Sequence, residues 1–350
     1  MSTRKDFTKW RKYQRSVSLV QRSPEWHASR VACVGGSELA AWMGVNPYRR
    51  KPAFIAEKIN GSRFFSNPAM THGTLCEGVA ARYTEKYFGC LLQETGSVDG
   101  CVPYHRYSPD GLALLPKNLT FNTQRCPAYT IGDKTANTTN TTQPIDDPEY
   151  DLVLFEFKNP FKNEELYAEI PPHYIPQPLS GLCDIPLANY ALFINCKVQV
   201  LDYPPTQCGN CGNIDYCGSA PGSKISTKVG RKTIVSYGDT CVKNAIAAGY
   251  IGFYTLAPMA VPDSHRKLME LPGIYRKYKV TIGGAGIMEE QFTQWCIRNL
   301  VVKLAFLPIK VVDVRITKLD REPNFMAQLA PMIKEDMEAV IRARTGLLNL

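Results

Sequence analysis

The sequence lacks several features that would place it outside the ordinary class of soluble globular proteins. It has no run of about 18 apolar residues, the length that a membrane-spanning helix needs. Its first residues are rich in Lys and Arg but lack the apolar segment of a secretory leader. No internal repeat is apparent. We therefore expect an intracellular protein that is not secreted and has no contact with a membrane.

Disulfides are not expected in a reducing compartment, so the 12 cysteines are interpreted as free thiols or metal ligands. Cys208, Cys211 and Cys217 lie in an insert rich in Gly, Pro and Asn, and the first two have the spacing of a zinc knuckle. Cys196 or Cys241 could supply a fourth ligand to structural Zn²⁺. A single Cys-x-x-Cys pair favours free thiols in a loop over zinc.

Composition favours a folded protein with an anionic partner. The hydrophobic fraction of 44% and charged fraction of 21% are typical of globular domains, and the net charge is +9. An excess of basic residues indicates nucleic acid more than an acidic substrate, although an inert basic surface has the same composition. Residues 265–267 and 276–279 are basic, the second run with an interleaved tyrosine, and are candidates for contacts with a nucleic-acid backbone.

Periodicity and turn signals predict an α/β fold. Residues 116–148 are rich in Asn, Thr, Pro and Asp, and we interpret them as a surface excursion between two strands. The predicted helices cover 23–31, 37–44, 51–59, 74–88 after a turn at 67–73, 287–304 and 324–347, with another that begins within 171–181. The predicted strands cover 102–107, 151–158, 190–203, 249–256 and 309–317.

The strand at 151–158 carries the strongest chemical signal. Glu156 and Lys158 are two positions apart and therefore share a face, whereas Phe155 and Phe157 point to the other face. Burying a carboxylate and an ammonium is costly unless the charges have partners or a chemical role. Asp110, in a Ser-Pro-Asp-Gly turn, supplies a second acid. Two acids and a lysine suit phosphodiester hydrolysis with Mg²⁺, in which the lysine activates water or stabilises charge.

Two further segments could contribute to such a site. Gly36 and Ser37 begin a short helix after a Gly-Gly turn, where backbone N–H groups and a hydroxyl could bind a phosphate. Ser37 is equally expected as a simple helix cap. Glu77, one turn into the predicted helix 74–88, is either exposed or directed at a metal.

Five segments follow one another along the chain: Arg22 to Gly44, Asn67-Pro-Ala-Met-Thr-His-Gly-x-x-x-Glu77, Ser-Pro-Asp110-Gly, Glu156-x-Lys158 and Tyr174-x-x-Gln177. In this order they resemble the motifs of the YqaJ-type recombinase family, the lambda-type alkaline exonucleases. The resemblance covers about residues 22–203. It implies a nuclease core of the PD-(D/E)xK class, a central mixed sheet with helices on both faces. The activity it implies is Mg²⁺-dependent degradation of one strand of duplex DNA from a 5′ end, which leaves 3′ single-stranded tails, with Mn²⁺ expected to substitute.

The resemblance also assigns roles to individual residues. Arg30, Gly36 and Ser37 would bind the 5′ phosphate, and Lys158 and Gln177 would act on the attacking water. Metal ligands would be Glu77, Asp110, Glu156 and the Phe157 carbonyl group. The sequence departs from the family pattern in two places. Asp110 and Glu156 are far apart in sequence, which leaves Asp147 or Asp151 as alternative metal ligands. Pro178 stands where many relatives have a second glutamine soon after the first.

The resemblance further implies DNA ends as substrate, a single-strand annealing protein as partner, a trimer, and a host cytoplasmic or nuclear location for a viral or phage protein. An endonuclease on the same fold and a non-catalytic DNA-binding module are the alternatives. The expected organisation is a basic arm or helix (1–21), the core (22–203) with its insertion at 116–148, a Cys- and Gly-rich insertion (204–248), and a C-terminal part of the same domain (249–350).

Overall fold

The computed structural model describes most of the chain. The described residues are 18–19, 24–61, 67–125, 144, 146–161, 166–200, 224–229, 232–237, 246–260, 268, 271–282 and 289–348. Within these ranges no helix combines the length and the apolar character needed to cross a membrane. The predicted arm at 1–21, apart from residues 18–19, and the three cysteines of the predicted zinc site lie outside the described residues.

The described helices follow the sequence signals closely. They are α1 (Pro24–Val31), α2 (Leu39–Trp42, after a 3₁₀ turn at Gly36–Glu38), α3 (Lys51–Asn60), α4 (Pro68–Phe88), α5 (Pro176–Asp184), α6 (Glu289–Arg298) and α7 (Phe325–Leu348). The strands are β1 (Ser18–Leu19), β2 (Val34–Gly35), β3 (Ser97–Asp99), β4 (His105–Tyr107), β5 (Gly111–Pro116), β6 (Asn122–Gln124), β7 (Tyr150–Lys158), β8 (Tyr190–Val200), β9 (Lys224–Val229), β10 (Lys232–Tyr237), β11 (Ala247–Thr255), β12 (Ile274–Ile282) and β13 (Val302–Leu319).

A central mixed sheet organises the molecule. Its strand order is β12-β11-β13-β8-β7-β5, and β6 pairs with the end of β13. The β7–β8 and β6–β13 pairs are parallel, and the other neighbours are antiparallel. Strands from the last third of the chain therefore continue the sheet that begins with β5 and β7. Two smaller units are the sheet β1-β3-β4-β2 and the β9–β10 hairpin.

Helices cover both faces of the central sheet. On one face, α4 packs Leu75 and Val79 against a core that includes Phe155 and Phe157. On the other face, α5 and α7 pack against a core that includes Leu152 and Leu154. The side chains of β7 alternate between these two cores, as the period of a strand requires. A mixed sheet with helices on both faces confirms the predicted α/β class.

The small sheet is joined to α5 through a buried polar pair. Nδ1 of His105 on β4 donates to the Val34 carbonyl oxygen at 2.8 Å, and Nε2 lies 2.9 Å from Oδ2 of Asp184. The other oxygen of Asp184 accepts from the Cys101 amide at 2.7 Å. This pair holds β4 against the end of α5. It thereby positions Tyr107, two residues after His105, beside the central sheet.

Several predicted boundaries are wrong for identifiable reasons. The predicted turn at 67–73 belongs to α4, because the Asn67 side chain accepts from the Met70 amide at 2.9 Å and Pro68 occupies the first helical position. The predicted strand at 102–107 begins only at His105, since Tyr104 has a φ of 61°. The predicted helix 287–304 ends at Arg298, and the chain turns at Leu300, whose φ is 55°, before β13 starts.

The excursion between β5 and β7 leaves and returns at paired positions, Pro116 and Tyr150. Its segment Asn122–Gln124 is a strand, β6, which the composition of the excursion did not indicate. Strand β12 was also missed, because its basic side chains suggested a surface segment.

Candidate active site

An open cleft of about 930 Å³ brings the acidic motifs together. Its walls include, of the predicted site residues, Ser37, Glu77, Asp110, Glu156, Phe157, Lys158 and Gln177. Tyr48, Met70, Phe161, Tyr167 and Tyr174 add apolar and aromatic surface to these walls. Residues that are up to 140 positions apart in sequence, from Ser37 to Gln177, therefore share one cavity. Such a cleft, mainly apolar with a few converging polar groups, is typical of a ligand site.

Glu156 lies at the centre of the polar cluster and is fully buried. Its Oε1 pairs with the Lys158 ammonium, and its Oε2 accepts from the Tyr107 hydroxyl at 3.1 Å. Phe155 and Phe157 face the opposite core, so the strand's alternation directs Glu156 and Lys158 to the same side. Both oxygens of the buried carboxylate therefore have partners, as burial of a charge requires.

Asp110 reaches Glu156 through strand pairing. The antiparallel register places Gly111 opposite Phe155, so the preceding turn carries Asp110 to the end of β7. There Asp110 Oδ2 accepts from the Phe157 amide at 2.8 Å. The long sequence gap between the two acids is only the excursion between two neighbouring strands.

The alternative acids have other contacts. Asp147 Oδ1 accepts from the amides of Glu149 and Tyr150 at 2.8 and 3.0 Å, which stabilises the turn before β7. Asp151 lies 3.9 Å from the Lys117 ammonium. Neither side chain lines the cleft, so the structure places Asp110 and not these two beside Glu156.

Burial and mutual repulsion shift the acidity of the cluster. Burial, reinforced by the charge of Asp110, raises the pKa of Glu156 to about 8 despite the opposing effect of Lys158. Burial also raises the pKa of Asp110, against the effects of Lys158 and the Phe157 amide. Burial disfavours the charged form of Lys158, but the carboxylates of Glu156 and Asp110 raise its pKa above the ordinary value. With both acids ionised the cluster would carry a net charge of −1, and the raised pKa values of Asp110 and Glu156 oppose this excess of negative charge.

Glu77 lies across the cleft on α4 and is half-buried. Among the described residues, no three His, Cys, Asp or Glu side chains are grouped closely enough to form a ready-made metal centre. Glu77 therefore shares the cavity with Asp110 and Glu156 but is not grouped with them as a third ligand. The pair of Asp110 and Glu156 is the part of the predicted ligand set that the fold assembles.

Gln177 and Tyr174 surround the ammonium group of Lys158. Lys158 Nζ donates to Gln177 Oε1 at 3.4 Å and lies 5.5 Å from the centre of the Tyr174 ring. Gln177 is in the first turn of α5, and Pro178 is buried in the same turn. The side chains of Lys158 on β7 and Gln177 on α5 are thus directed at each other.

The predicted phosphate-binding residues are divided by the fold. Ser37 is exposed and lines the cleft, whereas Gly36 is buried against the Tyr107 ring. The Arg30 guanidinium lies 4.8 Å above the Trp26 ring and bonds to Glu38 Oε1 at 3.3 Å. Arg30 does not line the cleft. Glu38, not Ser37, completes the helix start, because its Oε2 accepts from the Gly35 amide at 3.0 Å.

Sequence reasoning missed Tyr107. It is fully buried, it donates to Glu156, and burial followed by the charge of Glu156 raises its pKa well above the usual value. Gly36 and Gly181 make room for it, since a Cβ at either position would lie 2.7 or 2.4 Å from its ring. The available signal was its position directly before the Ser-Pro-Asp-Gly turn that carries Asp110.

Cysteines contribute no ligands to this cleft within the described part of the chain. The described ones, Cys33, Cys76, Cys90, Cys101, Cys183, Cys196 and Cys296, are free thiols. Cys196, a predicted alternative zinc ligand, is fully buried in the core beneath α4. Because Cys208, Cys211, Cys217 and Cys241 lie outside the described residues, the zinc site stays a prediction.

Comparisons with known proteins agree with the sequence motifs. Residues 25–182 match the YqaJ-like viral recombinase domain. The chain is 33% identical over 187 residues to a protein of African swine fever virus, isolate Tick/Malawi/Lil 20-1/1983, and 32% identical over the same length to the corresponding protein of strain Badajoz 1971 Vero-adapted. These alignments cover 51% of this chain and 50% of each relative, so the chain spans about half the length of the curated relatives it matches.

Among solved structures, the alkaline exonuclease LHK-Exo from Laribacter hongkongensis overlaps with a TM-score of 0.34 at 21% identity, over 50% of this chain and 74% of that one. An overlap this partial carries no weight for activity. The family match begins at α1, ends in α5 and includes every predicted site residue in the cleft. The resemblance inferred from the motifs is therefore confirmed over residues 25–182, which are similar to the YqaJ-like viral recombinase domain.

Proposed function

We propose that this protein is a metal-dependent DNA exonuclease that degrades one strand of duplex DNA from its 5′ end. The observation that carries the proposal is the Asp110–Glu156–Lys158 cluster, which opens into a cleft with Ser37 on its wall. The 3′ single-stranded tails would serve recombination, repair or replication of a viral-type genome, and a single-strand annealing protein would receive them.

The donor set fits a divalent cation such as Mg²⁺ or Mn²⁺. Asp110 and Glu156 offer carboxylate oxygens, the ligands that Mg²⁺ prefers, and burial raises the pKa of both groups, an effect that a bound cation would reverse. Glu77 and the Phe157 carbonyl group would complete the coordination, together with water. A cation at this position would polarise the scissile phosphodiester and acidify the attacking water.

The remaining side chains of the cluster act on charge and orientation. Lys158 keeps its proton because two carboxylates raise its pKa, so it can stabilise the negative charge that develops on the phosphate. Gln177, within 3.4 Å of the Lys158 ammonium, would orient the attacking water. Tyr107 holds the Glu156 carboxylate in place through its hydrogen bond to Oε2.

Preference for DNA ends would come from the segment at the start of the 3₁₀ turn. Ser37 presents an exposed hydroxyl to the cleft and is a donor for a terminal 5′ phosphate. Arg30 would join it by exchanging its bond to Glu38 for the phosphate. An anchored end favours terminal over internal bonds.

Product analysis on duplex DNA tests the proposal. A duplex labelled at one end should release nucleotides progressively from the 5′ terminus in Mg²⁺, and 5′-phosphorylated ends should react faster than 5′-hydroxyl ends. The matched control is Glu156→Gln, which keeps the shape of the side chain but removes its charge.

Two results would contradict the proposal. Equal rates on both kinds of end would remove the role of Ser37 and Arg30. Nicking of covalently closed circular DNA at a rate similar to that on linear DNA would favour the alternative activity, an endonuclease.

A further inference from the structure

A second groove, here called the edge groove, lies over β12 where this strand ends the central sheet in the described part of the chain. Its volume is about 460 Å³. Five cationic side chains line it: Arg82, Lys86, Arg276, Lys277 and Lys279. Glu85, paired with Arg82 at 2.6 Å, is the one carboxylate among the described residues that line it. The groove is therefore strongly positive.

Aromatic side chains are interleaved with these cations. Tyr254 and Trp295 pack edge to face at 5.1 Å, and the Lys277 ammonium lies 4.4 Å from the centre of the Trp295 ring. Tyr275, 45% exposed, stacks on Tyr254 at 5.6 Å. A positive groove with aromatic rings is the composition with which proteins bind single-stranded nucleic acid, because phosphates meet the cations and bases stack on the rings.

The simplest alternative explanation covers only part of this surface. Lysines on an edge strand prevent pairing with other chains, which would account for Lys277 and Lys279. It does not account for Arg82 and Lys86, which α4 brings to the same groove, nor for Trp295 on α6. Helices α4 and α6 and the edge strand itself therefore contribute to one positive, aromatic surface.

The edge groove is adjacent to the cleft along α4. Glu77 lines the cleft, and the neighbouring Gly78 packs against Tyr278, which lines the edge groove. A Cβ at Gly78 would lie 2.7 Å from the Tyr278 ring, so the two elements are in direct contact.

We propose that the edge groove binds single-stranded DNA, specifically the single-stranded part of the substrate next to the cleft. The role beside the cleft rests on the proposed nuclease function, but binding in the groove is measurable without cleavage. A single strand fits better than a duplex, because only unpaired bases offer free faces to Tyr254 and to the exposed Tyr275 ring beside it.

Fluorescence anisotropy with a labelled oligothymidylate in EDTA tests this binding. The variant Lys86→Glu/Lys279→Glu should bind at least tenfold more weakly than the wild type at low salt. It should also reduce the slope of log affinity against log salt by about 1.4, since each phosphate contact to a single strand contributes about 0.7. The matched control is Lys334→Glu/Arg342→Glu, which makes the same change of net charge at exposed positions on α7.

A second variant separates stacking from charge. Tyr254→Leu keeps an apolar side chain but removes the ring, and it should weaken binding about tenfold while leaving the salt slope unchanged. Circular dichroism and thermal unfolding establish that each variant is folded.

Three outcomes would overturn the proposal. The first is that the Lys86→Glu/Lys279→Glu variant binds oligothymidylate with wild-type affinity. The second is that the α7 control loses as much affinity as this variant. The third is that a blunt duplex binds more tightly than oligothymidylate and depends equally on the two lysines. Loss of cleavage in Glu156→Gln with oligothymidylate binding retained would support both proposals. Because EDTA suppresses cleavage, failure of the nuclease proposal would leave the binding result interpretable.

Discussion

The cleft and the edge groove use charge in opposite ways. In the cleft, Glu156 is fully buried, and its pKa is raised to about 8 by burial and by Asp110. In the edge groove, Lys86 and Lys279 are exposed side chains. Buried charges interact strongly and suit chemistry, whereas exposed charges are screened and suit reversible contact with a polyanion. This contrast is what we propose to be a division between a surface for reaction and a surface for binding.

The largest expected effect is on cleavage after a change in the cleft. Lys158→Met should lower the single-turnover rate by about 10²–10⁴-fold, because the ammonium that stabilises developing charge is lost. Binding of oligothymidylate in EDTA should change much less. A Lys158→Met protein that binds oligothymidylate weakly but cleaves bound DNA at the normal rate would contradict the division between the two surfaces.

The second prediction concerns stability of the metal-free protein. The pKa of Glu156 is raised above its ordinary value in the folded state, so the folded state binds more protons than the unfolded state between about pH 4.5 and 8. The free energy of unfolding should therefore fall by on the order of a few kcal/mol as the pH rises through this window, and level off above it. Chemical denaturation in EDTA across this range measures the fall.

Glu156→Gln is the control for this pH dependence, because an amide does not titrate. The variant should remain stable where the wild type weakens. Adding Mg²⁺ at pH 8 should raise the unfolding temperature of the wild type but not that of the variant, since a cation stabilises the ionised carboxylates. The same fall in both proteins would place the titrating group elsewhere.

A smaller effect is expected at the wall of the cleft. Ser37→Ala should reduce the preference for 5′-phosphorylated over 5′-hydroxyl ends by about tenfold, the value of one hydrogen bond to a charged group. Rates on the two kinds of duplex measure the ratio. If the Ser37 hydroxyl does not contact the terminal phosphate, the ratio of the two rates would not change.

The smallest effect is expected for Tyr107→Phe. It removes the hydrogen bond to Glu156 Oε2 without emptying the space between Gly36 and Gly181, and it should cost about 1 kcal/mol of stability at high pH. Loss of that bond should also raise the pKa of Glu156 further, which moves the end of the pH transition upward. An unchanged transition would mean that Tyr107 only fills space.

Local signals predicted which side chains of β7 and of the neighbouring turn meet better than they predicted the positions of Glu77 and Arg30. Glu156 and Lys158 share a face because alternation is a property of any strand, and Asp110 follows from turn chemistry. The position of Glu77 across the cleft, and the bond that turns Arg30 toward Glu38, depend on packing between helices and could not be read from spacing. Tyr107 was missed because β4 has only three residues, too few for a periodic signal.

Period, turn residues and composition were enough to predict the fold class, the two acids and the lysine of the cleft, and the positive charge. The pairing of β5 with β7 across a long excursion, the place of β12 at the end of the sheet in the described part of the chain, and the contact of α4 with both the cleft and the edge groove became visible only in the folded chain. Pairing between distant strands is set by the packing of two cores against one sheet, and no short stretch of sequence contains that information.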